Sequence, residues 1–322
     1  MSAMSAPAIE MEHVDLAFGN DTGVFDVSYT VPSGTILGMI GPSGCGKTTN
    51  VRLMTGLAPA QRGTIRVLGK SPSKFTSADR ERIGYIPQSF VLYPTLTVAE
   101  NMTFVASLYG MGWRRRRRRM RELLEFVDLS DARNRLGREL SGGMQRRLML
   151  ACALMHEPDL IFADEPTAGI DPVLRGRFWE YFRQLSTQGK TLFITTQYVG
   201  EAAYCDQVAV MRKGRILDID TPEQLRRKAV GGEVVALTFE RMHIGHALDY
   251  LNSRDDVLMA KMAPASRDQI HVYVERAGPL LPVLLKSLED DRSLQVLGAE
   301  EFTPSYDDVF ITLMERSEKE AA

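Results

Sequence analysis

Cysteine is scarce in this chain: three in 322 residues, Cys45, Cys152 and Cys205, far apart and without paired spacing. Neither a disulfide framework nor a zinc site is suggested. Long apolar runs are missing as well. None approaches the roughly 18 residues needed to cross a bilayer, and the opening MSAMSAPAIE lacks the basic and apolar regions of a signal peptide. The expectation is a chain that stays in the cytoplasm. Charge of one sign is also lacking, with 39 Lys and Arg against 41 Asp and Glu and a formal net charge of −2. Any attraction to nucleic acid or to an acidic surface must then be local. What remains is ordinary for a globular chain, 44% hydrophobic and 25% charged, at a length that suggests about two domains.

The most informative segment is GPSGCGKTT, made of Gly41, Pro42, Ser43, Gly44, Cys45, Gly46, Lys47, Thr48 and Thr49. It follows an apolar run over residues 35–40 that reads as a buried strand. Glycines here let backbone N–H groups turn inward around phosphates, Lys47 offsets phosphate charge, and Thr48 offers a hydroxyl to Mg2+ as a helix begins. The ligand predicted is a nucleoside triphosphate with Mg2+. Cys45 sits in this loop at a helix N-terminus. Its thiol pKa should be lowered there, so alkylation should inactivate the protein and bound ATP should protect it; the alternative is a small residue filling space.

A second carboxylate-bearing element follows the apolar run 160–163, which leads to Asp164 and Glu165. Ligands of α/β sheets bind at such C-terminal strand ends. Asp164 would hold Mg2+, and Glu165, on the other face, can polarise the water that attacks the γ-phosphate. A merely acidic strand end is the alternative. LSGGMQRR, residues 140–147, places Ser141, Gly142, Gly143 and Gln145 at the mouth of an apolar helix, which suits either a simple N-cap or an anion site. A second phosphate-facing element beside an existing phosphate loop suggests that it serves a nucleotide held by another copy, which implies a dimer.

Up to about residue 90, short β-rich runs (9–14, 25–31, 64–68, 82–86) alternate with turns around the helix after the phosphate loop, so a mixed sheet is expected. Residues 97–156 read as a helical insertion. Strands return at 160–163 and 192–195 and in a hairpin over 207–220 that turns at Lys213 and Gly214. Pro222 starts a short helix, residues 230–232 read as a linker, and a small α+β domain over 233–322 follows. Its strands, 234–239, 257–262, 269–274 and 294–299, have an order compatible with a ferredoxin-like sandwich. This second domain contains no cluster suited to chemistry. Residues 114–119, all arginine, form the only charge block. A solvated, irregular helix start is the preferred reading, ahead of lipid headgroups and of nucleic acid.

Taken in order, GPSGCGKTT, Gln88 after a strand, LSGGMQ, LIFADEP and AGIDP resemble the motif set of ABC-type ATPase domains over residues 8–229. The resemblance implies a P-loop α/β fold with a helical subdomain at about 97–156. It also implies an aromatic stack on adenine by Phe18, for which the alternative is strand packing. Gln88 would link Mg2+ to the membrane partner, and Asp171 would lie in the loop joining two sites. After the strand 192–195 comes Thr196 and then Gln197, where most of the superfamily has a histidine touching the γ-phosphate. An amide donates a hydrogen bond but does not titrate, which leaves Glu165 as the base. TTQY, RIGYIPQ, LYPTLTVAENMTF and the tail TPSYDDVFITLMER resemble the ATPase subunits of bacterial drug-resistance exporters, whereas SGC within the phosphate loop resembles solute importers.

The resemblance thus implies a peripheral ATPase on the cytoplasmic face of the membrane. It would pair with a second copy around two ATP and drive a separate permease that contacts the cargo, a drug, antibiotic or lipid. An importer subunit is one alternative. A non-transport ABC ATPase on ribosome or DNA is another, disfavoured because neither a second phosphate loop nor extended heptads appear, so no nucleic acid is expected.

Overall fold

Alternating apolar and polar side chains make strands β1 (Ile9–Ala17) and β2 (Gly23–Val31) one-faced: Ile9, Met11, Val14, Val24, Val27 and Val31 are buried, whereas Glu12, Asp26, Ser28 and Thr30 are exposed. Strand β3 (Ile36–Ile40) differs, with all five residues buried, as expected of a strand covered on both faces. These come from a computed structural model that describes residues 6–19, 22–263, 266–290 and 294–320. The first half of MSAMSAPAIE, read above for a leader, lies outside the described residues, as do residues 321 and 322 of the small C-terminal domain.

Two units divide the chain, Met1–Thr221 and Pro222–Ala322. In the first, α1 (Lys47–Met54), β4 (Arg62–Val67), the short α2 (Ser77–Arg80) and β5 (Ile83–Ile86) follow β3. Helices α3 (Val98–Leu108), α4 (Trp113–Phe126) and α5 (Gly142–Ala153) fill the segment expected to be helical. Thr97 starts α3 with a capping box: its hydroxyl accepts from Glu100 N at 3.2 Å, and the Glu100 carboxylate accepts from Thr97 N at 2.8 Å. The arginine block is a regular part of α4 from its first turn, not an irregular start. Then come β6 (Leu160–Asp164), α6 (Pro172–Thr187), β7 (Thr191–Thr196) and the hairpin β8 (Gln207–Arg212) and β9 (Arg215–Asp220). Lys213 at φ 44° and Gly214 at φ 77° make its tight turn.

The first unit holds two sheets. A three-stranded antiparallel sheet has the order β2-β1-β4, and a six-stranded sheet has the order β5-β6-β7-β3-β8-β9, parallel except for β9. Leu37 and Met39 of β3, Val51 and Leu53 of α1, Phe162 of β6 and Phe193 of β7 share one core with the inner face of the antiparallel sheet. Fully burying side chains of this size stabilises by about 1.5–3 kcal/mol each.

The second unit contains α7 (Pro222–Val230), β10 (Glu233–Phe239), α8 (Ile244–Asn252), β11 (Met259–Met262), β12 (Gln269–Val274), α9 (Ala277–Asp290), β13 (Val296–Phe302) and α10 (Tyr306–Glu320). Its antiparallel sheet has the order β11-β12-β10-β13. Val235, Leu237, Ala247, Leu251, Leu284 and Leu288 form its core. Helix α7 groups with this unit, where Arg226 lies 4.3 Å over the Tyr306 ring of α10. Strand β11 begins two residues later than the hydrophobic pattern predicts because Arg254 grips Asp256 with two bonds, at 2.8 and 2.6 Å, and holds that stretch as a turn.

Candidate nucleotide site

Strand β7 lies between β3 and β6, and all three run parallel, so the segments leaving their C-terminal ends emerge at one edge. The register sets Ile40 opposite Thr196 and Asp164 opposite Thr195. Residues 41–49, 164–165 and 197, distant in sequence, lie at or directly after those strand ends. Gly41 has no room for a side chain: an added Cβ would stand 2.3 Å from Met211 O and 2.6 Å from Cys45 Sγ. Gly46, at φ 112°, precedes α1 as its N-cap in a conformation few other residues adopt.

Lys47 is 4% exposed. Its Nζ donates to Gly41 O at 2.8 Å and to Pro42 O at 3.1 Å, and stands 3.2 Å from Glu165 Oε1. The loop is therefore curled around its own ammonium group. Beside it, the first N–H groups of α1 have no carbonyl one turn back to bond. Ser43 and Gly44 are exposed, and an added Cβ at Gly44 meets nothing within 4 Å. A buried cation, free N–H donors and an open side fit a triphosphate.

The other oxygens fit Mg2+. Thr48 Oγ1 donates to Asp164 Oδ1 at 3.1 Å, and Thr195 Oγ1 donates to the same oxygen at 2.6 Å. Among the described residues no cluster of three or more His, Cys, Asp or Glu stands ready to hold a metal. Mg2+ binds in that sparse way, through a hydroxyl or one carboxylate plus water and substrate phosphates. Glu165 has φ 48°, a left-handed backbone in a residue with a side chain, and such strain collects at functional sites. Its N–H is pinned to Thr195 O at 3.1 Å and to Thr195 Oγ1 at 3.0 Å, while its Oε2 accepts from Gln88 Nε2 at 2.8 Å.

The sequence profile of the ABC transporter family matches residues 24–168. Nod factor export ATP-binding protein I of Burkholderia lata is 35% identical over 280 residues, 86% of this chain and 89% of that protein. Linearmycin resistance ATP-binding protein LnrL of Bacillus subtilis is 36% identical over 231 residues, 71% of this chain and 74% of that protein. This chain belongs to the ABC transporter ATP-binding family. The match to YbhF of Escherichia coli, described as a probable multidrug ABC transporter ATP-binding protein, is 34% identical over 236 residues and covers 73% of this chain but 41% of that relative's length. A solved ATP-binding subunit of an ABC transporter superposes with a TM-score of 0.62 at 27% identity, over 69% of this chain and 92% of that one. CbiO1 from Clostridium perfringens, with a TM-score of 0.63 at 21% identity over 78% and 96% of the two chains, shares the fold.

Other ABC motif residues lie elsewhere in the first unit. Ser141 caps α5, its hydroxyl accepting from Met144 N at 3.3 Å, and Gln145 Nε2 donates to Gly137 O at 3.1 Å. Gly142 is exposed, and an added Cβ at Gly143 would stand 2.5 Å from Leu174 Cδ2 of α6. Asp171 caps α6, accepting from Leu174 N at 2.9 Å. Among the described residues, no hydrogen bond of Ser141 or Asp171 reaches the phosphate loop. Gln197 is exposed directly after β7.

Phe18 follows β1 and is 60% exposed, which is not the packing of a core strand residue. Phe18→Ala is expected to weaken ATP binding by roughly 5- to 150-fold, the worth of one base stack, as read by equilibrium titration with a fluorescent ATP analogue. Unchanged affinity would remove the stacking role.

Cys45 corrects an expectation. Its side chain is 4% exposed, and burial pushes the thiol pKa up, against the weaker opposing pull of Lys47. The helix N-terminus is outweighed because the loop folds inward and Gly214 N donates to Cys45 O at 2.9 Å. Alkylation of the apo protein by iodoacetamide at neutral pH should therefore be slower than that of a free thiol. A rate above the free-thiol rate would restore the activated-cysteine reading.

Three contributors escaped the motif reading. Thr195 ties the Asp164 carboxylate and the Glu165 backbone N–H to β7. Arg146 Nη1 reaches the carbonyls of Gln88, Glu165 and Pro166 at 3.3–3.4 Å, so α5 is tied to the Glu165 turn. Arg175 lies 4.1 Å over the Tyr198 ring with its Nε 3.8 Å from the buried Glu201 carboxylate, which holds the segment after Gln197 against α6. A threonine ending an apolar strand and arginines next to known motifs were the only signals available.

Proposed function

We propose that this ABC subunit hydrolyses ATP, pairs head to tail with a second copy around two ATP molecules, and drives a separate permease from the cytoplasmic face of the membrane. The observation that carries the reading is the Glu165 carboxylate, one oxygen 3.2 Å from Lys47 Nζ and the other 2.8 Å from Gln88 Nε2. Lys47 and the N–H groups of residues 44–49 hold the phosphates, and Thr48 and Asp164, with Gln88 beside them, would hold Mg2+, which neutralises phosphate charge when bound. Glu165 orients a water and takes its proton as the water oxygen bonds to the γ-phosphorus and the bond to the β-phosphate oxygen breaks. Gln197 donates a hydrogen bond to the γ-phosphate and moves no proton.

Pairing is supported by Ser141, Gly142 and Gly143, whose N–H groups at the start of α5 suit the phosphates of a nucleotide held by the other copy. Asp171, near the start of α6, would lie between the two sites. Export of a drug, antibiotic or lipid is supported by the relatives named for linearmycin resistance and Nod factor export. The second unit is proposed to be ferredoxin-like, from its sheet order.

The test is affinity purification of the chain from detergent-solubilised membranes, with partners identified by mass spectrometry. A polytopic permease without a solute-binding protein supports export. A permease with such a protein supports import, and ribosomal or nucleic-acid partners alone overturn the transport reading.

A further inference from the structure

Helix α4 runs against the electrostatics of its own backbone. Arginines 114–119 occupy its first two turns, its N-cap Gly112 supplies no side-chain bond, and its first turn has no acidic residue. Cations are unfavourable at that positive end, and like charges three or four residues apart repel. Local violations of this kind in an otherwise consistent chain mark function.

The arginines divide into two sets. Arg115 bonds Glu157 at 2.5 Å, Arg116 bonds Ser107 Oγ at 3.0 Å, and Arg119 meets Glu122, Glu157 and Leu154 O, so these brace the helical layer. Like Arg115, which is held by Glu157, Arg114, Arg117, Arg118 and Arg121 are exposed. Their spacing, i, i+3, i+4 and i+7, makes one stripe along the helix. Among the described residues Arg114 and Arg121 have no ion-pair partner, Arg118 reaches Glu122 only at 3.7 Å, and Arg117 lies 5.8 Å over the Trp113 ring. Trp113 is 61% exposed at the start of the helix, and Leu108, ending α3, is 69% exposed.

We propose that this stripe docks on the anionic headgroups of a phospholipid bilayer, with Trp113 and Leu108 entering the interface and the four arginines meeting lipid phosphates. Guanidinium forks match phosphate oxygens, and tryptophan settles at headgroup level. Nucleic acid fits less well, because the exposed Trp113 ring beside Arg117 gives the stripe an apolar end that a bilayer interface takes in. The inference rests on the reading above that the subunit works at a membrane surface.

The experiment is flotation of the full chain, without nucleotide, on vesicles of phosphatidylcholine with or without phosphatidylglycerol. Wild type should bind the anionic vesicles and release them as salt rises past a Debye length of about 8 Å. Each basic residue near such a surface is worth roughly fivefold in binding, so the triple variant Arg114→Gln/Arg117→Gln/Arg121→Gln should lose roughly 100-fold. Arg66→Gln, an exposed arginine on β4, should change little. Removing cations from a helix start leaves α4 as stable or more so, so an unchanged or raised thermal midpoint separates lost docking from misfolding. Equal flotation of the triple variant, equal binding to pure phosphatidylcholine, or stripe-dependent binding to duplex DNA tighter than to vesicles would each overturn the proposal. The ATPase reading fails separately, if wild type releases no phosphate from ATP.

Discussion

Glu165→Gln is expected to cut ATP turnover by roughly 10²- to 10⁴-fold, the usual contribution of a positioned general base, while ATP still binds. The substitution is nearly isosteric, so the left-handed turn at φ 48° and the two bonds from Glu165 N to Thr195 are kept. What disappears is the basic oxygen and its charge. An amide cannot take a proton from water, and Lys47, no longer drawn to an anion 3.2 Å away, keeps its bonds to Gly41 O and Pro42 O and has more of its charge left for the phosphates. Affinity for ATP should be equal to or above that of wild type. Phosphate release and equilibrium binding measured on the same preparation decide the matter: turnover near the wild-type rate would end the assignment of Glu165 as the base. Gln197→Ala should have a smaller effect, roughly 2- to 10-fold on turnover, since one neutral hydrogen bond nets about 0.5–1.5 kcal/mol.

Lys47→Ala should reduce ATP affinity by roughly 100-fold or more, because two or more charge-assisted bonds to phosphate, each worth about 1.5–3 kcal/mol, are lost together. A second effect appears without nucleotide. Glu165 would then stand in a site where its carboxylate is 11% exposed, with the neutral Gln88 amide as its remaining side-chain hydrogen-bond partner. Removing one member of a buried pair leaves an uncompensated charge, which is strongly destabilising. The thermal midpoint of the apo protein should fall in Lys47→Ala and recover in Lys47→Ala/Glu165→Gln, whereas ATP affinity should stay low in both. Recovery of affinity in the double variant would show that Lys47 acts on the phosphates only by neutralising Glu165.

The strongest sequence signals were those in which neighbouring residues make the structure together. The phosphate loop, the Thr97–Glu100 cap and the Lys213–Gly214 turn each need only a few adjacent side chains and one backbone conformation. The arrival of Gln197 beside the phosphate loop was legible only through its strand, since three parallel strands must end at one edge. Cys45 shows where such reading stops. Its position at a helix start argued for an activated thiol, but it is buried in one core with Met211 and its carbonyl accepts from Gly214 N, both more than 150 residues along the chain. Arg146 is similar. Nothing in LSGGMQRR distinguishes an arginine that binds three carbonyls beside Glu165 from one that faces water, because those carbonyls belong to two other segments. The pairing of Arg115 and Arg119 with Glu157, beyond α5, is likewise not legible from α4 alone.

The contacts that complete the site also bear on how the first unit folds. Thr48 meets Asp164 across 116 residues, Gln88 meets Glu165 across 77, and Gly34 N donates to Thr191 Oγ1 across 157. Closing loops of that length is the slow part of assembling a parallel sheet. The proposed triphosphate pocket is therefore complete only when the strands over residues 36–196 have paired. ATP recognises that finished arrangement and not its parts, so mass action spreads the nucleotide's binding energy over the whole cooperative unit. A nascent chain that stops before β7 has its phosphate loop and the Lys47 bonds within it, but lacks the bonds from Gly41 N to Thr196 O and from Gly214 N to Cys45 O that fix the loop to the sheet.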